Sequence, residues 1–494
     1  MTAIALGLWQ LERLRSGLTI AQAMVGTVPV TLFRGEGSGP APVVVVAHGF
    51  SGSQQLMQPF AITLARSGFI VLTFDFPGHG RNQVPLQGGI ADDAARSREL
   101  LDALDAVIAY GRALPDADGR VALLGHSMAS DIVVRYAMAH PEIVATVGVS
   151  LFAPNVTATS PANLLVIDGA LEPAMLLDEA RRIVGLASGG TPEEAVTYGR
   201  FADGTARRLA LSDGVEHIGV LYSAESMAEA RDWLGAALNR PVAPFVDARG
   251  TALGLLFGGL LALAYPLRRL LPVVAMPPVG ADLAWRRLLP VAVVPAVATP
   301  LLLHVVPTTF LPLLLGDYLV VHFAVYGILT GLGLWLAGAP LRRSVAWPRL
   351  ALAAAMVAAY GVLVLGLPVD RYLSAFAPTA ARVPLALAML AGTLPYFVAD
   401  EWLTRGPHAR RGGYVLTKLS FLASLALAIA LDLERLFFLI IIVPAILLLF
   451  LVYGLLSGWA YGRTGHPLVG GLANALAFAW AIAVTFPLVA TGAG

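Results

Sequence analysis

From about residue 249 onward the chain is a succession of long apolar runs, at roughly 249–267, 288–306, 316–338, 349–367, 383–400, 415–432, 436–457 and 468–490. Each approaches or exceeds the roughly 18 to 20 residues that a helix needs to cross a bilayer. In lipid every backbone polar group must be satisfied within the segment, so such runs can only become helices packed on one another. The spacing predicts seven or eight transmembrane helices over 249–494, the run at 249–267 being the weakest because it is short and glycine-rich. Composition agrees: 57% of residues are hydrophobic and only 13% charged, above the apolar share of soluble domains. A formal net charge of +1 gives no electrostatic basis for nucleic-acid binding. The absence of cysteine excludes disulfides and thiolate metal sites.

The first half has a different texture. "APVVVVAHG" (41–49), "FIVLTFDFPG" (69–78), "RVALLGHS" (120–127), "VATVGVSLF" (144–152) and "NLLVIDG" (163–169) are short apolar runs that end in turn residues. Runs of that kind suit strands buried on both faces. Helical patterns such as "ARSRELLDALDAVIAYGRAL" (95–114) lie between them. The alternation predicts an α/β domain over 25–248, a mostly parallel sheet flanked by helices. Residues 1–24 are left as an amphipathic segment. "MTAIALGLWQ" is too short for a full export signal, and with "LERLR" after it this run reads as the tail of an anchor shortened by a misassigned start.

"LLGHSMASD" (123–131) carries the chemistry. Ser127 lies between a strand-like run and a helical one, with Gly125 and Ala129 two residues away on either side. That is nearly G-x-S-x-G, the pattern in which a sharp strand-to-helix turn lifts a serine clear of a sheet. By itself it could equally be a helix N-cap serine. Two further motifs add context. "VVVVAHGFSGS" (43–53), "FDFPGHGRN" (74–82) and "LLGHSMAS" together resemble, in order, the His-Gly loop, the Asp-x-x-Gly-His-Gly-x-Ser signature and the nucleophile elbow of the α/β-hydrolase fold family. Asn82 stands where that family usually has serine, and Ala129 where it usually has glycine.

The resemblance implies a nucleophile, an acid and a histidine in that chain order. Ser127 is then the nucleophile. His217, in "LSDGVEHIGVLY", is the base, because His140 falls at the end of the helix after the elbow. Glu172 in "LLVIDGALEP" takes the acid position, with Asp168 at the strand end as the runner-up. The oxyanion donors fall on the backbone N–H groups of Phe50 and Met128, while His48, His79 and His126 are expected to be structural. About ten residues, "APNVTATSPA", separate two successive strands, so no large cap domain is expected; the membrane half could supply a cover. No cofactor and no metal are implied.

Ionisable residues within spans are candidates for function. His304, Asp317 and His322 are a candidate intramembrane polar site, whereas Asp400 and Glu401 are expected near the inner boundary. Arginines alternate between the loops. Arg268, Arg269, Arg286, Arg287, Arg342, Arg343, Arg349, Arg405, Arg410, Arg411, Lys418 and Arg463 fall on one side, and Arg371, Arg382 and Arg435 on the other. The positive-inside rule then predicts a multi-pass protein of a bacterial inner membrane with its α/β domain outside the cytoplasm; a seven-helix count would reverse this. The expected activity is a membrane-anchored serine hydrolase acting on carboxylic esters, with the lipid bilayer and a small-molecule or lipid ester as partners. The alternatives are a transporter or channel-like protein with a degenerate sensor domain, or a membrane acyltransferase.

Overall fold

The structure is a computed structural model that describes residues 1–37, 39–89, 92–339, 341 and 346–490; Arg342 and Arg343 lie outside the described residues. Among the described residues nine strands form one sheet: β1 (Leu18–Val25), β2 (Val28–Gly35), β3 (Ala41–Ala47), β4 (Ile70–Phe74), β5 (Ala117–His126), β6 (Ile143–Val149), β7 (Leu164–Gly169), β8 (Thr197–Tyr198) and β9 (Arg207–Ser212). Their order is β1-β2-β4-β3-β5-β6-β7-β9-β8. The central pairings from β4 through β9 are parallel, and antiparallel pairs close both edges.

The all-apolar central strands follow from burial on both faces. On β3, Val43 and Val45 pack with Leu104 and Val107 of helix Asp93–Arg112. Val44 and Val46 point the opposite way, into a core with Phe60 and Leu64 of helix Gln58–Arg66 and Leu234 of helix Ala224–Ala237. The sheet begins at Leu18, inside the stretch read from sequence as a separate segment. The β1–β2 hairpin escaped that reading because β1 is an edge strand with mostly exposed or half-buried residues, which leaves little hydrophobic signal.

Among the described residues, eight helices are long and apolar enough to cross a membrane: Gly250–Leu270, Trp285–Leu303, Gly316–Leu336, Trp347–Tyr372, Val383–Thr404, Gly413–Leu431, Leu439–Thr464 and Pro467–Thr485. The last lies at the centre of the bundle, with most of its side chains buried. Glycines set the closest approaches, as expected where helices pack in lipid by backbone proximity. A Cβ at Gly392 would collide with the Val320 carbonyl, and one at Gly327 with the backbone of Tyr396. Helix Thr2–Arg15 packs along the first span, where a Cβ on Gly7 would stand 2.7 Å from the Ala252 carbonyl oxygen.

The two halves meet at the carboxyl edge of the sheet. The loops after β3 and β4 touch the helices. Ala375 N–H donates to Ser53 Oγ (2.9 Å), Leu488 N–H to Gly78 O (2.8 Å), and Arg81 pairs with Asp370 (2.7 Å). Buried Arg382 donates to the carbonyls of Gly78 (2.7 Å), Ala483 (2.6 Å) and Phe486 (2.8 Å). One apolar cluster runs without interruption from the sheet through Leu86 to Leu313, Leu488 and Val489.

The glycine contacts give a direct test of the bundle. Gly392→Val should destabilise the purified protein by about 1–3 kcal/mol through overpacking, read as a lower melting temperature in detergent. Gly331→Ala, where an added Cβ meets nothing within 4 Å, should leave it unchanged or slightly raised. Equal effects of the two would mean that the close approach at Gly392 is absent.

Candidate active site

Ser127 sits where β5 ends and helix Met128–Ala139 begins, with φ 54° and ψ −120°. A non-glycine residue there is strained by roughly 1–3 kcal/mol and persists only if its surroundings fix it. Here the Ser127 N–H donates to the Val149 carbonyl (2.8 Å), and the Ser127 carbonyl accepts from Ser130 N–H (2.8 Å). Ala129 fits without difficulty and is fully buried. The tight position is Gly125, where a Cβ would collide with the Ala129 carbonyl and stand 2.8 Å from Val133 Cγ2. The elbow therefore tolerates alanine on its helix side and requires glycine on its strand side.

The structure brings Ser127, His217 and Glu172 into one hydrogen-bonded chain. His217 Nε2 lies 2.9 Å from Ser127 Oγ, and His217 Nδ1 lies 3.0 Å from Glu172 Oε2. A carboxylate only accepts, so Nδ1 carries the proton and Nε2 is free to accept the serine hydroxyl's. The Glu172 side chain is fully buried and that of His217 is 17% exposed. Glu172 Oε1 accepts from Ser150 Oγ (2.5 Å). Ser150 was not anticipated from sequence. It directly follows β6, at φ 54°, and no local pattern marks a serine whose partner comes from the next strand's loop.

Asp168 is buried at the end of β7 and is not bonded to His217. Burial, reinforced by the neighbouring Glu172 charge, pushes its carboxyl up to about 8.

His48, His79 and His126 hold the surrounding loops, and burial disfavours their charged form. His126 donates from Nε2 to the His217 carbonyl (2.9 Å) and so ties the histidine loop to the elbow. Its burial, with the adjacent His217, pushes its pKa down to about 3. His48 donates from Nδ1 to Gly49 O (2.8 Å) and accepts from Phe76 N–H at Nε2 (3.2 Å), and burial lowers its pKa. His79 donates to Pro77 O (2.9 Å), and burial brings it down to about 3. Asn82 bridges its turn, donating to Asp75 O (3.0 Å) and accepting from Val84 N–H (3.1 Å).

Phe50 and Met128 flank the nucleophile. A Cβ on Gly49 would lie 3.0 Å from Ser127 Cβ and from His126 O, so the loop that carries Phe50 runs against the elbow. Among the described residues neither the Phe50 nor the Met128 amide donates a hydrogen bond.

The intramembrane candidates do not converge. His304 is exposed at the end of the second span. Asp317 accepts from the Phe310 amide (3.0 Å), and His322 is buried between Tyr318 OH (3.3 Å) and Ser424 Oγ (3.1 Å). No cluster of three or more potential metal ligands occurs among the described residues. Asp400 and Glu401 lie in the last turns of the fifth span and are buried in the bundle. Asp400 pairs with Lys418, and Glu401 with Arg405 (3.1 Å), Ser457 (2.7 Å) and Asn474 (3.2 Å). Sequence position near a span end gave no hint of this, because the acids are satisfied by residues on three other helices.

A profile described as serine aminopeptidase, S33, matches residues 38–177. The chain carries an α/β-hydrolase-family domain on its amino-terminal side, fused to a region of long apolar helices consistent with a polytopic membrane domain. Two uncharacterized proteins of Mycobacterium tuberculosis, from strains CDC 1551 / Oshkosh and ATCC 25618 / H37Rv, are each 33% identical over 107 residues, covering 21% of this chain and 34% of theirs. The chain thus spans about a third of the length of the curated relatives it matches. A solved structure from Klebsiella pneumoniae subsp. pneumoniae, described as that of a dienelactone hydrolase, is 14% identical and covers 45% of this chain and 98% of its own, with a TM-score of 0.33.

The Asp168 carboxyl sets a pH dependence. In the unfolded chain it titrates near the ordinary value of about 3.9, so between that and about 8 the folded state binds the extra proton. Its contribution to stability therefore falls as pH rises through this window. Asp168→Asn removes it: relative to the parent, the variant should gain thermal stability progressively from pH 5 to pH 9. A constant difference across that range would contradict the assignment.

Proposed function

We propose that this protein is a membrane-anchored serine hydrolase that cleaves carboxylic esters through an acyl-enzyme. The observation that carries the reading is the Ser127–His217–Glu172 chain, at 2.9 Å and 3.0 Å, on a strained elbow. Ser127 Oγ attacks the ester carbonyl carbon as His217 Nε2 takes its proton. The amides of Phe50 and Met128 receive the developing oxyanion. Collapse of the tetrahedral intermediate breaks the bond to the alcohol, which leaves with the proton from His217. Water then attacks the acyl-serine by the same route in reverse roles and releases the acid. Glu172 holds the imidazole in the required tautomer and faces the imidazolium, and Ser150 holds Glu172.

Two features support a lipid-like or acylated ester. The carboxyl edge of the sheet, where the elbow opens, is the edge that rests on the helices. Phe152, Leu171 and Ile218, each next to or near a residue of the hydrogen-bonded chain, are exposed apolar side chains. Acyl transfer to a membrane alcohol would use the same acyl-enzyme and differs only in the acceptor.

We also propose that the α/β domain lies outside the cytoplasm. Arg268, Arg269, Arg286, Arg287, Arg405, Arg410, Arg411 and Arg463 adjoin the span ends away from that domain, the side that positive charge marks as cytoplasmic.

Ser127→Ala should abolish labelling by a fluorophosphonate probe and lower esterase turnover by on the order of 10,000-fold or more. Glu172→Gln should lower turnover by about 1,000- to 10,000-fold. A folded parent that takes no label would end the enzyme reading. Because the chain has no cysteine, topology can be read with single cysteines. In spheroplasts an impermeant maleimide should label Ala158→Cys directly and Met276→Cys only after permeabilisation; the opposite pattern would place the domain inside.

A further inference from the structure

The loop that carries Phe50 does not hold itself in place. Ser51, the next residue, has φ 54°, and its buried hydroxyl has no hydrogen-bond partner among the described residues. One backbone bond, Gly52 N–H to Gly49 O (3.0 Å), closes the turn. Strain of this kind persists only where something outside the loop over-determines it. At Phe50 itself the anchor is the ring, held from two sides. The His79 ring meets it edge-on at 6.2 Å and 82°. On the other side Phe438 stacks on it, with centroids 4.3 Å apart and planes 26° from parallel.

Phe438 comes from the membrane half. It follows the single turn Leu433–Leu436 and precedes the span Leu439–Thr464. Asp432 caps that turn by accepting from the Arg435 amide (3.3 Å) and pairs with its guanidinium (2.9 Å), while Leu436 and Leu439 are fully buried. The hairpin is therefore a rigid mount. The His79 side is tied to the same half, because the adjacent Gly78 carbonyl receives both Arg382 and the Leu488 amide.

We propose that Phe438 is a positioning residue for the reaction: its stack on Phe50 sets the Phe50 amide against the oxyanion, so the membrane half completes the hydrolase site. The inference rests on the serine-hydrolase reading above. An amide displaced by even about 1 Å loses much of its value to a transition state, with losses of about 100-fold on record for such shifts, whereas ground-state binding of a small ester hardly depends on it. Loss of the stack therefore lowers kcat and spares KM. An offset aromatic pair also has a preferred geometry that an aliphatic side chain lacks, so tyrosine replaces phenylalanine here and leucine does not.

The test uses the full chain in detergent or nanodiscs with p-nitrophenyl butyrate. Phe438→Ala should lower kcat by about 10- to 100-fold with KM within about threefold and fluorophosphonate labelling of Ser127 still detectable. Phe438→Tyr should restore kcat to within about threefold of the parent, and Phe438→Leu should not. Phe50→Ala should show a similar loss, and the double variant no further loss, because the two act as one unit. If Phe438→Ala does not fold, the leucine and tyrosine variants decide the matter. Full turnover in a folded Phe438→Ala or Phe438→Leu variant, or additive losses in the double variant, would overturn the proposal and leave the hydrolase reading intact. A parent that neither labels nor turns over would instead remove the hydrolase reading itself.

Discussion

A buried guanidinium joins the two halves of this protein. Arg382, at the entrance to the fifth span, has as its partners three backbone carbonyls, one from the loop after β4 and two from the end of the last span. Taking a cation out of water is expensive unless hydrogen bonds replace its hydration, and arginine's planar fork, weakly hydrated, is suited to collecting carbonyls from different directions. The consequence is a fixed distance between a catalytic-side loop and the centre of the helical bundle. The strand-like pairing of Leu86 with Leu488 and Ala490 extends that contact, so the α/β domain is docked on the bundle by its own backbone and is not merely tethered to it.

That docking explains the arrangement at the carboxyl edge. Parallel sheets place their binding residues on the loops that leave the strand ends, and here the loops after β3 and β4 lie against the membrane helices. Each strained serine (Ser51, Ser127 and Ser150 all have φ 54°) sits on that edge. The strain is held by partners from other segments: Val149 for Ser127, Glu172 for Ser150, and the ring beneath Phe50 for Ser51.

The order of strands and helices was legible in the sequence because the central strands are apolar on both faces and the spans are long. The elbow, His217 and Glu172 could be located by motif and chain order, and the structure sets those three side by side. Asp168 competed with Glu172 in sequence because one ends the strand that the other follows; only the three-dimensional turn at Gly169, with the Glu172 amide bonded back to it (3.0 Å), separates them. Ser150 and Phe438 left no trace, since each matters through a neighbour brought from elsewhere in the fold. The candidate grouping of His304, Asp317 and His322 failed to appear because position along a helix says little about which face a residue presents. His322 turns inward to Ser424, whereas His304 turns out.

The buried ion pairs bear on how the bundle is made. Asp400 and Glu401 lie on the fifth span and Lys418, the sole lysine of the chain, on the sixth. A charge left unpaired within a span is costly in lipid. Paired, Asp400 and Lys418 cancel. The pair ties the fifth span to the sixth inside the bundle. Asn474 donates to Glu401 (3.2 Å) and brings the last span into the same polar cluster. Removing any one of these side chains would leave a buried partner unsatisfied, so three helices of the bundle depend on one another through polar groups.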